Sequence, residues 1–134
     1  MHGLHLTADL RGCDAHQPVF TDAQALRELC LSEVAGAGLQ AVGTLFHRFD
    51  LPPDVPGPAG VTGVVLLAES HLAVHTWPEL QAVTLDVYVC NFGGDNTAKA
   101  EALMDALIAA MAPGEVERHR LERGRLALQP LLPT

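Results

Sequence analysis

The sequence predicts an α+β fold, a two-layer α/β sandwich whose mainly antiparallel sheet carries helices on one face. Two observations carry this. Three strand-like segments follow one another too closely for crossover helices to fit between them, which indicates an antiparallel meander. The two helical segments each show a single apolar stripe, and such a stripe needs a sheet face to cover it.

In order along the chain, Leu4, Leu6, Ala8 and Leu10 alternate with other residues and predict a strand over 4–10. Thr21 and Gln24 have capping-box spacing; Leu26, Leu29, Cys30 and Val34 follow at helical intervals, and Gly36 and Gly38 end that helix. A second strand is expected over 39–49. The stretch DLPPDVPGPAG, residues 50–60, holds four prolines and two glycines and reads as a surface loop within the domain. Strands follow at 61–68, 72–77 and 82–90. Asp95-Asn96-Thr97 offers N-cap chemistry for a second helix, buried through Leu103, Met104, Leu107, Ile108 and Met111 and stopped at Pro113-Gly114. A short last strand near 116–121 closes the sheet, and an irregular tail is expected from 130 onward. Thr7-x-Asp9-x-x-x-Cys13 and Thr84-x-Asp86-x-x-x-Cys90 share their spacing, and each precedes a helix, a possible internal duplication.

The 134 residues fit one domain, 1–134, and the 49% hydrophobic content supports a core without disulfides or structural metal. A domain this small leaves apolar surface uncovered, so self-association is expected. The formal net charge is −8 and no basic patch is interleaved with aromatics, which argues against nucleic acid as a partner. No apolar run is long enough to span a bilayer, so no membrane partner is expected. Cys13, Cys30 and Cys90 form an odd set without a CxxC pair or a preceding signal segment, and free thiols in a reducing cytoplasm are expected.

Residues 68–79, AESHLAVHTWPE, carry the chemistry. Two apolar strands flank a tight Glu-Ser-His turn where a plain hairpin favours glycine or asparagine. Ser70 Oγ is placed to attack the carbonyl of Glu69 and turn the amide into an ester, with turn strain assisting. Removal of the Ser70 α-proton then expels the Glu69 carboxylate, and the product hydrolyses to a pyruvoyl group and ammonia. His75 is the natural base, because imidazole titrates nearest neutrality.

This run closely resembles the self-processing motif of the prokaryotic S-adenosylmethionine decarboxylase proenzymes. The resemblance extends through His5-Leu6 to Cys13-Asp14, Phe46-His47-Arg48-Phe49, residues 60–79, Asp86 to Cys90, and Glu122-Arg123-Gly124-Arg125. It implies self-cleavage between Glu69 and Ser70 into a beta chain, 1–69, and an alpha chain, 70–134. It further implies that Ser70 becomes the covalent pyruvoyl cofactor and that His75 accepts the proton in processing. Cys90 matches the proton donor of decarboxylation, Glu79 a contact to ribose hydroxyls and Phe49 a stacking partner for adenine. The implied substrate is S-adenosylmethionine and the implied product is the aminopropyl donor for spermidine. The implied assembly is a homodimer, its sheets face to face and its two active sites near the interface.

Blander readings stand beside these. Ser70 alone reads as a turn former, Trp77 as packing, Glu79 as a solvated turn residue, and Cys13 and Cys30 as structural. His71 and His75 share a strand face by parity, but no third ligand has helpful spacing, so no metal is expected and His71 is read as a neighbour of the cleavage site. Cys90 shares parity with Thr84, Asp86 and Tyr88 on the more polar face of its strand.

Four departures from the family pattern matter. Thr62 stands where serine is common and keeps a hydroxyl that assists processing. Leu80-Gln81-Ala82 replaces an aromatic-glycine-aromatic run, Asn91 stands where glycine is common after Cys90, and the 50–60 loop is longer than expected. Two alternatives stay open: a pyruvoyl-dependent arginine or ornithine decarboxylase from the same family, and an unprocessed regulatory paralogue.

Overall fold

The computed structural model describes residues 2–91 and 93–124. The chain runs β1 (Gly3–Arg11), α1 (Ala23–Gly36), β2 (Ala41–Arg48), β3 (Val61–Leu67), β4 (Ser70–Trp77), β5 (Ala82–Cys90), α2 (Thr97–Met111) and β6 (Glu115–Arg123), with single 3-10 turns at Pro18–Phe20 and Pro78–Leu80. The strands form one sheet in the order β2-β3-β4-β5-β1-β6, and every neighbouring pair is antiparallel. The predicted meander is β3-β4-β5. The tail expected from 130 onward lies outside the described residues.

Both helices cover the same sheet face, α1 over β2 and β3 and α2 over β1 and β5. The alternation of β1 turns Leu4, Leu6, Ala8 and Leu10 toward them. These join Leu72 and Val74 of β4 and Val83, Leu85, Val87 and Val89 of β5 in one core with Leu26, Cys30, Val34, Leu103, Met104, Leu107 and Met111. Full burial of a side chain of this size contributes about 1.5–3 kcal/mol, which explains why the apolar stripes predicted the layers. Among the described residues, the opposite sheet face carries no helix. Among the described residues, no helix is long and apolar enough to cross a membrane.

Element ends differ from expectation for local reasons. Helix α1 is capped by Asp22, whose side chain accepts from the backbone N–H groups of Gln24 (2.9 Å) and Ala25 (3.4 Å). Thr21 instead closes the preceding 3-10 turn, its N–H bonded to the Pro18 carbonyl. Strand β4 begins at Ser70 rather than at residue 72, because Leu67 pairs directly with Ser70 and leaves only Ala68 and Glu69 in the turn. Strand β6 is longer than 116–121 and exposed along its length, as its alternating charges and edge position require. Arg118 bridges from it to Glu101 (3.2 Å) and Asp105 (2.6 Å) of α2.

The repeated Thr-x-Asp spacing has a structural counterpart. Thr7 pairs with Asp86 and Asp9 with Thr84 across the β1-β5 ladder, so the two motifs lie antiparallel on the uncovered face.

Candidate active site

The turn between β3 and β4 places strain beside Ser70. Glu69 adopts a left-handed conformation (φ +52°) although it is not glycine. That conformation costs a residue with a Cβ about 1–2 kcal/mol. Glu69 is also the residue whose carbonyl Ser70 is expected to attack. The Cys90 backbone N–H donates to Ser70 Oγ (3.0 Å), which ties the start of β4 to the end of β5. Cys90 itself is buried and pairs with Gly3 of β1. Behind it, the Asn91 N–H donates to the His2 carbonyl (2.7 Å), Asn91 Oδ1 accepts from the Asn96 N–H (2.8 Å), and Asn96 Nδ2 donates to the Cys90 carbonyl (2.9 Å). The departure at Asn91 therefore braces the segment that carries Cys90.

Next to this turn, on the uncovered face, stands His71. Its Nε2 lies 3.3 Å from Asp86 Oδ1, and His5 Nε2 approaches the same oxygen at 3.7 Å. Tyr88 packs beside both imidazoles, 5.9 Å from His5 and 5.7 Å from His71 between ring centroids. Gly3 makes room for that ring, because a Cβ there would stand 2.5 Å from Tyr88 Oη. Two β-carbons of His71 and His75 share a face, as parity predicted, but the third and fourth polar groups come from β1 and β5.

His75 belongs to a different cluster. Its Nδ1 lies 3.0 Å from Thr62 Oγ1 on β3. Around them a cleft of about 140 Å³ is lined by Phe49, Leu51, Gly60, Thr62, Thr76 and Glu79, among others. The two residues expected to bind nucleoside, Phe49 and Glu79, thus sit with His75 and Thr62. The uncovered face adjoins both clusters and exposes Leu45, Leu66 and Trp77.

The structure does not bring His75 to Ser70 within one chain. Five residues along β4 correspond to about 16 Å at strand rise, and an odd separation points the two side chains to opposite faces. Ser70, Glu69, Cys90 and His71 form one group; His75, Thr62, Phe49 and Glu79 form the other.

Sequence reading missed Thr76 and the pair His5 and Asp86. Among the described residues, Thr76 is the buried polar side chain of the core: its Oγ1 accepts from the Val61 N–H (2.8 Å) and donates to the Phe20 carbonyl (2.8 Å). These bonds hold β4 at the height where His75 meets Thr62. Its position in the AVHTWP run, on the parity of Leu72 and Val74, was a usable signal of burial. No such signal links His5 and Asp86 to His71. The thiols expected to be structural are buried, and burial pushes Cys13 up and Cys30 up to about 12.

A profile of the S-adenosylmethionine decarboxylase family matches residues 4–124. An S-adenosylmethionine decarboxylase proenzyme from Aquifex aeolicus is 40% identical over 122 residues, covering 91% of this chain and 81% of that protein. A proenzyme of the same description from Archaeoglobus fulgidus is 34% identical over 122 residues, covering 91% of this chain and 97% of its own. The crystal structure of the adenosylmethionine decarboxylase of Aquifex aeolicus superposes with a TM-score of 0.79 at 36% identity, covering 97% of each chain. With a profile match over nearly all the described residues and relatives this similar along most of its length, the chain belongs to the S-adenosylmethionine decarboxylase family.

Proposed function

We propose that this protein cuts itself between Glu69 and Ser70 and then decarboxylates S-adenosylmethionine, making the aminopropyl donor for spermidine. The observation that carries the reading is the left-handed Glu69 directly before a serine whose Oγ is held by the Cys90 N–H. Strain raises the ground state of the amide to be broken. The Cys90 N–H engages a lone pair of Ser70 Oγ and fixes its direction, while the hydroxyl proton stays available to a base. Attack on the Glu69 carbonyl carbon forms the Oγ–C bond and breaks the amide C–N bond. Loss of the Ser70 α-proton then releases the Glu69 carboxylate, and hydrolysis of the remaining enamine frees ammonia.

The residues present fit the pyruvoyl group that this sequence of steps leaves on the alpha chain. When formed, that group supplies a carbonyl that condenses with the substrate amine and takes up the electron pair left by carbon dioxide. Cys90 holds the proton returned to the former α-carbon, Phe49 stacks on adenine and Glu79 binds ribose hydroxyls. Thr62 orients the His75 imidazole through Nδ1.

A homodimer completes the site in this reading. Ser70 and His75 of one chain are about 16 Å apart along β4. The cleft holding Phe49 and Glu79, at about 140 Å³, is smaller than the several hundred cubic ångströms of an ordinary ligand pocket. Packing two uncovered sheet faces together sets His75, Thr62, Phe49 and Glu79 of one copy against the face of the other that carries His71 and Cys90, and encloses the cleft. It also buries the exposed Leu45 and Leu66.

Carbon dioxide release from S-adenosylmethionine, arginine and ornithine by the cleaved protein tests the substrate. Release from S-adenosylmethionine alone is expected. Release from arginine or ornithine instead overturns the substrate assignment, and release from none of the three overturns the enzymatic reading.

A further inference from the structure

The uncovered sheet face holds two buried polar atoms that the mechanism above does not use. Among the described residues, His5 Nε2 and Asp86 Oδ1 are the buried side-chain nitrogen and oxygen atoms without a hydrogen-bond partner. An unsatisfied buried group of this kind costs about 1–3 kcal/mol. They face each other at 3.7 Å, and His71 Nε2 stands 3.3 Å from the same oxygen without the alignment of a hydrogen bond. One ligand atom from each of His5, His71 and Asp86 lies within 4.8 Å of the other two.

Such separations suit a shared metal ion better than mutual hydrogen bonds. At metal–ligand distances of about 2.0–2.1 Å, neighbouring ligand atoms are roughly 3.0–3.4 Å apart. The Asp86–His71 edge already has that length, the Asp86–His5 edge is 3.7 Å and the His5–His71 edge lies within 4.8 Å, so closing the site turns the two imidazoles toward each other. The three residues come from β1, β4 and β5, whose register fixes their backbones: His5 and His71 both pair with Tyr88, on either side of it, and Asp86 follows two residues earlier on β5. Two imidazoles and one carboxylate favour zinc, cobalt or nickel over magnesium or calcium. We propose that His5, His71 and Asp86 form a binding site for one divalent transition-metal ion per chain, with zinc the natural occupant.

One neighbour opposes ligation. Arg123 Nη1 lies 3.2 Å from His5 Nδ1, and its guanidinium packs 5.4 Å from the Tyr88 ring centroid. Arginine only donates, so this contact places the His5 proton on Nε2, the atom a metal needs bare. Binding therefore moves the proton to Nδ1 and turns the exposed Arg123 side chain away, an adjustment open to the last residue of an edge strand. The second copy in the proposed dimer covers this same face, so the ion equilibrates slowly.

The test is equilibrium dialysis of chelator-stripped, full-length protein against Zn²⁺, with metal analysis, and against Co²⁺, with visible spectra. One ion per chain is expected. Replacing a second-sphere partner of a metal site weakens affinity about 10–100-fold, so removing a ligand in His5→Gln or Asp86→Ala weakens it at least about 100-fold. His119→Gln, on the same face but paired with Glu117, leaves affinity unchanged. Paramagnetic shifts in the Co²⁺-loaded parent require no variant to fold: the ring nitrogens of His5 and His71 shift strongly, those of His47 and His119 little. Absence of binding, or binding that leaves the His5 and His71 resonances in place, overturns the proposal.

Discussion

Replacing Thr76 by valine removes one hydroxyl at nearly constant volume, and the structure gives the consequence a size. The Val61 N–H and the Phe20 carbonyl both end on Thr76 Oγ1 at 2.8 Å, and both residues are buried. Valine leaves the two groups without partners in a site closed to water. Each orphaned group costs about 1–3 kcal/mol, so a loss of about 2–5 kcal/mol is expected, part of it recovered by the added methyl. For a domain of this size 3 kcal/mol corresponds to a fall of roughly 10 °C in the unfolding midpoint. The assay is urea unfolding of Thr76→Val against parent, both in a Ser70→Ala background so that each remains one chain, at a fixed protein concentration. The m-value should stay constant while the midpoint falls. A loss below about 0.5 kcal/mol would refute the claim that this hydroxyl ties β4 to β3 and the 18–20 turn, because two orphaned groups could not be that cheap.

Further outcomes are expected. Ser70→Ala remains one intact chain on a denaturing gel, and His75→Ala stalls at or before the ester, where hydroxylamine cleaves it. Co-expressed Ser70→Ala and His75→Ala chains recover partial cleavage of the His75→Ala chain if the base comes from the second copy; stalled protein alone would return the base to the same chain. Cys90→Ala still cleaves but turns over about 10²–10⁴-fold more slowly, the usual loss for one general acid, as measured by product formed per alpha chain. The Cys30 thiol is raised by burial from 9.0 to about 12, so its contribution to stability is complete below pH 9 and is lost as pH rises toward 12. In that window the unfolded chain releases a proton that the native state keeps, at up to about 1.4 kcal/mol per pH unit, and Cys30→Ala flattens the dependence seen by urea unfolding.

The layers were legible because burial imposes periodicity. Leu4, Leu6, Ala8 and Leu10 alternate for the same reason that they are buried, and the stripe of α2 is read from Leu103, Met104, Leu107 and Met111. Ends were less legible, because Asp22 and Thr21 are both competent caps and only the 18–20 turn, by engaging Thr21, assigns α1 to Asp22. The Glu69-Ser70 turn was legible because two apolar strands flank it, and Leu67 pairs with Ser70 across it. The spatial relation of Ser70 to His75 is not displayed by chain order alone, because five residues along a strand put two side chains on opposite faces. The His5, His71 and Asp86 group was out of reach, since its members meet only through the β1-β5 and β4-β5 registers.

Intact-mass measurement of freshly purified protein tests the central claim, self-cleavage at the strained turn, most directly. The account predicts two species, residues 1–69 ending in a free Glu69 carboxylate and residues 70–134 beginning with a pyruvoyl group. The second should be blocked to amino-terminal sequencing, because its first residue has lost its amine. A single uncleaved chain that decarboxylates S-adenosylmethionine at a steady rate would contradict the account.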